Sequence, residues 1–492
     1  MDRALVTLIT VTAYLSICLG VGYWALRRTR STRDFFMAGR KLGIFVTAFA
    51  VFSSTMSGFG FVGGPGLVYR MGTSSLWMVV ASVIGAAILF SLVAKRVRLF
   101  AEIRECISLP DIAAVRFKSE LVRALMAIVV LLGVMGYLAT QILAMAVVLQ
   151  DVLLDANIFP AVSLRMTVAA CTAILVFYTV TGGIVASVYT DLIQGTIMLV
   201  AAVLVFATVL GTFEGGMAEM SQIVAADDRE AMGPWGTLGM FGGLSWMLVF
   251  GLGLAGQPHV VTKYMMLKNV RDIRYVVPLG AFAYGVTALL WIGLGIAMRA
   301  LVLQGGHGAL STPDAAAAEF LQNYAHPLLA GVVFAALLAA IMSTADGFLN
   351  IGTAAVIHDF PNALVGHSVQ NELLWARVTT VGIAVVAAVF ALYSGDLVAL
   401  LGAFGWGTFA AAIVPVIGIG LNWKDATATA ATVAIASSLV INFGVRITGA
   451  EIPYGLDVGA VSLVVSIFLF LTVSLLGTPR VLEEDVEAVM EM

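Results

Sequence analysis

Charge is what this sequence has least of: 11% of its 492 residues are Asp, Glu, Lys or Arg, against 61% hydrophobic residues, and the mean hydropathy is +1.02. A soluble domain carries roughly 25% charged residues, so a water-soluble fold would have nothing to put outside. Cysteine is scarce too. Cys18, Cys106 and Cys171 lie far apart without metal-ligand spacing, which excludes a disulfide framework and leaves them as packing residues. The five histidines, His259, His307, His326, His358 and His367, form no pair at ligand spacing within an apolar stretch, which argues against haem or metal chemistry. No phosphate loop and no nucleophile motif occurs, so a membrane enzyme has little support. A net charge of −3 carries no sign of nucleic-acid binding. Glycine, by contrast, is abundant. Fifty glycines would weaken a soluble helical core, but small residues let helices approach closely in lipid.

Apolar stretches of roughly 20 residues, enough to cross a bilayer, predict about thirteen transmembrane helices. They lie near Ala4 to Leu26, Leu42 to Tyr69, Gly72 to Ala94, Leu121 to Leu149, Ala161 to Thr181, Val188 to Thr212 and Leu238 to Pro258. Six more follow near Tyr275 to Met298, Pro327 to Ile357, Leu373 to Ser394, Asp396 to Leu421, Ala426 to Val445 and Leu456 to Leu476. The first is too long for a signal-peptide core and lacks a small-residue cleavage site, so it reads as a retained helix. Basic residues cluster in alternate loops: Arg27 to Lys41, Lys95 to Lys118, and Lys263, Lys268, Arg271 and Arg274. The positive-inside rule then places the N-terminus outside and the C-terminus in the cytoplasm of a cell (inner) membrane. The acidic tail, Glu483, Glu484, Asp485, Glu487 and Glu491, reads as a solvated end without function.

Two spans are broken. The second carries Ser53-Ser54-Thr55-Met56-Ser57-Gly58 and then Gly63-Gly64-Pro65-Gly66, and the seventh carries Gly251 to Gly256 followed by Gln257-Pro258-His259. Unwound backbone at membrane depth is tolerated only where protein or a cavity satisfies it, and paired interruptions in two halves of a chain point to a transporter's binding site. Glycine packing with a proline kink accounts for either break alone about as well. The ninth span brings Ser343, Asp346, Gly347 and Asn350 to one helical face, bordered by Thr344. A single hydroxyl there often just bonds back to its own helix, but an intramembrane Asp346 is a candidate functional group.

The order and content of these motifs resemble the sodium/solute symporter family, over nearly the whole chain. Ser54-Thr55-Met56-Ser57-Gly58 is similar to the broken-helix motif of bacterial sodium/proline symporters, and Gly63-Gly64-Pro65-Gly66 to that of sodium/pantothenate symporters. Thr190-Asp191 with Gln194, Gly256-Gln257-Pro258-His259 and Ala340-Ile341-Met342-Ser343-Thr344 also match family motifs. The resemblance implies an all-α membrane protein with a leucine-transporter-type core of two inverted five-helix repeats. Those are residues 42–212 and 238–421, with an extra helix and loop in 1–41 and further helices and the tail in 422–492. It implies Na+ held by the carbonyls of Ser53, Met56 and Ala340 and the hydroxyls of Ser343 and Thr344. Asp191 matches a residue near the sodium exit or a second sodium site; its plainer reading is a helix cap beside Thr190. The small organic solute, an amino acid or a carboxylate such as pantothenate, is expected near Thr55, Ser57, Tyr137, Gln141, Phe250, Leu254 and Gln257.

Departures from the family pattern count as well. Thr55 stands where the proline carrier has an acidic residue, which argues against proline, and Phe250 and Leu254 replace aromatic residues of that carrier, which suggests a differently shaped pocket. Ala340 and Gly347 lack hydroxyls that some members use for a second sodium. The reading is therefore sodium-coupled symport by alternating access in a lipid bilayer, by a chain expected to work as a monomer. Proton coupling through Asp346, in which that carboxylate rather than sodium carries the coupling, is the alternative, and a channel is a further one.

Overall fold

The computed structural model describes residues 3–61, 63–157, 159–393 and 405–492, with the side chain of Phe59 left aside. Every regular element among them is helical, and the only strand-like pairing among them is an isolated bridge between Leu42 and Leu267. Ten helical segments among the described residues are long and apolar enough to cross a membrane, and the shorter apolar helices Ile44–Thr55 and Gly405–Ile419 accompany them. The end of the expected tenth span, at 394, and the start of the expected eleventh, 396–404, lie outside the described residues.

Two of the long segments are not single rods. Leu164–Leu210 contains Gly183 at φ 53°, ψ −143°, a conformation open only to glycine, so the two spans expected here are joined by a sharp turn. Tyr178 and Ser187, on opposite sides of that turn, both reach the Asp346 carboxylate. Nine residues of straight helix would set them about 13 Å apart; the turn folds them back to one point. The Gly63–Ile103 segment likewise contains Gly72 at φ 68°.

Both expected breaks are present. The Ile44–Thr55 helix ends at Met56 (φ −92°, ψ 83°), and a short turn, Gly58–Phe61, follows before Gly63–Met71. The second break runs through a wide turn, Met247–Gly251, and a tight one, Leu252–Gly256, to an extended Gln257 (φ −79°, ψ 106°). There Pro258 starts the Pro258–Met265 helix, where a missing N–H costs nothing. The Pro327–Ala354 helix crosses beside both breaks, and every residue from Ala335 to Asn350 along it is buried.

On the face of the basic loops, three arginines tie helix ends together. Arg40 donates to the Cys106 carbonyl, Arg98 to those of Leu267 and Lys268, and Arg116 to those of Gly420, Trp423 and Lys424. Two expectations need correction here. Lys263 does not lie in a loop; it is buried within Pro258–Met265. The acidic tail is not a solvated end either. Glu484–Glu491 forms a helix that buries Val486, Val489 and Met490, while Glu483 and Asp485 pair with Arg104, and Glu487 and Glu491 with Lys424. An amphipathic pattern of three apolar residues among acids was enough to dock it on basic loops. The cysteines are free and buried, as packing residues should be.

Candidate functional site

The oxygen cluster forms where the Pro327–Ala354 helix passes the first break. Ser343 Oγ donates to the Ser53 carbonyl at 2.9 Å and lies 3.0 Å from the Ala340 carbonyl, and Thr344 Oγ1 lies 3.1 Å from that same carbonyl. Ser53, Ala340, Ser343 and Thr344 are all buried, and so is Met56, whose non-helical backbone releases its carbonyl from the helical ladder. Four of the five expected oxygens are thus linked by direct hydrogen bonds. The set contains only carbonyls and hydroxyls, the ligands a hard cation prefers, so these residues suit sodium by chemistry as well as position. Among the described residues Thr344 bonds only within its own helix, as an ordinary membrane threonine does; Ser343 reaches across to the broken helix.

Beside this cluster lies a second one that carries full charges. Asp191 sits deep within Leu164–Leu210 rather than at a helix start, so it is not a cap. Its Oδ2 is 2.5 Å from Lys263 Nζ, which also donates to the Ala50 carbonyl at 3.0 Å and to Ser54 Oγ. Ser54 Oγ in turn donates to the Ser343 carbonyl at 3.4 Å. Sequence reasoning missed Lys263 because a lysine following an apolar stretch looks like a loop residue. His259 Nε2 lies 3.2 Å from the Ser54 carbonyl, on the same break.

Asp346 points elsewhere. Ser187 Oγ donates to its Oδ1 at 2.7 Å and Tyr178 OH to its Oδ2 at 3.1 Å, while Asn350 bonds to its backbone carbonyl at 2.9 Å. Its carboxylate therefore joins two turns of the neighbouring helix pair.

The solute residues divide into two groups. Tyr137 OH donates to Ser57 Oγ at 3.4 Å, its ring lies 4.7 Å from that of Phe348, and the buried Gln141 Oε1 has no hydrogen-bond partner among the described residues. Gln257 Nε2 donates to the carbonyls of Gly253 and Trp406, and Phe250 packs on Trp406 with ring centroids 5.7 Å apart. Gly405, packed against Tyr137, and its neighbour Trp406 connect the groups. Thr55 and Leu254 line a different cavity of about 350 Å³ with Tyr264 and Tyr284. Trp406 and Phe348 were invisible in the sequence, since an aromatic residue in an apolar span looks like any other.

A cavity of about 470 Å³ runs from His259, Gly347 and Asn350 to Ser108 and Asp359, towards the basic loops. At its edge His358 bridges Asp111 and Glu372, 2.9 Å from each, and Ser108 donates to Asp359 at 2.6 Å. Asp111, His358 and Asp359 come close enough to share a metal ion, but their atoms are already engaged in these bonds and with Arg123. The grouping joins side chains from different helices, so spacing within a single span does not reveal it.

Residues 35–438 match the model of the sodium:solute symporter family. The sodium/proline symporter of Haemophilus influenzae is 30% identical over 439 residues, covering 86% of this chain and 85% of that protein. The osmoregulated proline transporter OpuE of Bacillus subtilis is 28% identical, covering 85% and 84%. Among solved structures, a substrate-bound outward-open Na+-coupled sialic acid symporter aligns with a TM-score of 0.82 at 19% identity, covering 97% of this chain and 99% of that one.

Proposed function

Because the chain belongs to the sodium:solute symporter family, with sodium as the coupling ion, we propose that sodium binds at Ser343 Oγ and Thr344 Oγ1 with the carbonyls of Ser53, Met56 and Ala340. The observation that carries this is the hydrogen bond from Ser343 to the Ser53 carbonyl, which joins the broken helix to the helix crossing it. An ion replacing that bond would draw both helices to itself. Sodium binding would then order the first break, whose other side carries Ser57 beside Tyr137 and Gln141. That is how an ion can raise the affinity for a solute without touching it, and the coupling is reciprocal.

The solute is a small organic molecule, bound between Ser57, Tyr137 and Gln141 on one side and Phe250 and Gln257 on the other. These groups are hydroxyl, amide and aromatic, with no formal charge, which suits a neutral or zwitterionic solute better than a bare carboxylate. The two halves, 42–212 and 238–421, act as inverted repeats rocking about the two breaks in thirteen crossings, with the C-terminus cytoplasmic and the chain working as a monomer. The tail helix supports that orientation, since it docks on the basic loops. A sodium ion entering down a tenfold gradient and ~100 mV releases about 1.4 plus 2.3 kcal/mol, enough for several-hundredfold accumulation. One ion suffices.

Sodium binding to purified Ser343→Ala and Thr344→Ala tests the site. Each variant is expected to bind sodium roughly five- to a hundredfold more weakly, from ~1 to 3 kcal/mol per lost buried ligand. Unchanged sodium affinity in both would move the site elsewhere.

A further inference from the structure

The Lys263 ammonium has three N–H donors, and three oxygens meet them: Asp191 Oδ2, the Ala50 carbonyl and Ser54 Oγ. A carboxylate, a carbonyl and a hydroxyl are also what a hard monovalent cation would collect at such depth. Lysine and aspartate are each at most 1% exposed, so neither charge is shared with water. We propose that the Lys263 ammonium is a tethered cation filling a second cation position at Asp191, so that each turnover moves one sodium ion per solute. The inference rests on the Ser343 and Thr344 reading for that one remaining ion.

Several features agree. Ser53 and Ser54 are consecutive, so the two cation positions are neighbours, and a second mobile ion at Asp191 would face the ammonium at contact distance with its counter-charge already neutralised. The other groups around are poor substitutes. Ala340 and Gly347 have no hydroxyl, and both oxygens of Asp346 accept from Ser187 and Tyr178. Asp191 Oδ1 is buried without a hydrogen-bond partner among the described residues. Once the ammonium is removed, that oxygen, Oδ2, Ser54 Oγ and the Ala50 carbonyl would together form a complete oxygen site bearing one negative charge.

The test counts radioactive sodium bound per full-length chain in detergent or nanodiscs, with no solute needed. The parent and Lys263→Arg should each bind one ion with a Hill slope near one. Lys263→Met should bind two, with a slope above one, and Asp191→Asn combined with Lys263→Met should return to one. A merely structural lysine would leave the count unchanged in a folded Lys263→Met, and that result overturns the proposal. Two ions on the parent overturn it as well, whether or not Lys263→Met can be purified. Failure of the underlying reading looks different: Ser343→Ala would leave the affinity of the single parental ion untouched.

Discussion

Two polar clusters sit side by side under the first helix break, built on consecutive serines. Ser53 gives its carbonyl to a group of neutral oxygens with Ala340, Ser343 and Thr344, whereas Ser54 gives its hydroxyl to a buried ion pair. A neutral cluster tolerates gain and loss of an ion, because emptying it leaves no charge stranded in lipid. The charged one does not. Its two ions must stay together, since removing one partner of a buried pair strands the other. Under the proposed reading, this difference places the mobile ion at the first cluster and the fixed cation at the second.

The sharpest way to break this contrast is Asp191→Asn, which leaves the Lys263 ammonium without its carboxylate. It is expected to cost about 3 to 5 kcal/mol of stability, measured by thermal unfolding in detergent, and adding Lys263→Met should recover much of the loss. If Asp191→Asn is as stable as the parent, the pair is not a fixed element. Within the neutral cluster, Ser343→Ala should weaken sodium binding more than Thr344→Ala, because the Ser343 hydroxyl bridges to the broken helix whereas that of Thr344 bonds back within its own helix; isothermal titration with sodium would show the order, and equal effects would remove the bridging argument.

Asp346→Asn separates the proton-coupled alternative from the sodium reading. Asn keeps the shape but accepts from Ser187 and Tyr178 less well, so a loss of ~1 to 3 kcal/mol in stability with unchanged sodium dependence of uptake is expected. A sodium dependence that collapses, or uptake that becomes independent of pH where the parent's is not, would give Asp346 the coupling role.

The smallest effect concerns the tail. Hydrogen bonds from Arg104 hold Glu483 and Asp485 below the ordinary carboxylate range. Groups with lowered pKa stabilise docking above the unfolded value and lose that contribution as pH falls through the lowered one. Tail docking should therefore persist at pH 5 to 8 and loosen below about 4, and high salt should weaken it at any pH. Protease access at the tail would report both, and a tail equally protected at acid pH would show that Val486, Val489 and Met490 alone hold it.

Much of this was legible in the residues. Hydropathy and glycine content marked the spans, and the hydroxyl, glycine and proline runs marked both breaks, because an unwound helix needs those residue types. Ser343 and Thr344 could be named as candidate ligands because Ala340-Ile341-Met342-Ser343-Thr344 matches a family motif. Lys263, Trp406 and the grouping of Asp111, His358 and Asp359 could not, since their meaning lies in partners from distant segments. The docked tail was hidden for the same reason: its acids look solvated until Arg104 and Lys424 are placed opposite them.

The sequence by itself determined that the chain lives in lipid, where its helices must break and which hydroxyls lie at membrane depth, because the bilayer punishes every unsatisfied backbone group locally. Only the tertiary structure decided which charges meet. Whether Asp191 caps a helix, binds an ion or pairs with a lysine 72 positions away depends on a contact across helices, and a buried charge is defined by the partner that neutralises it.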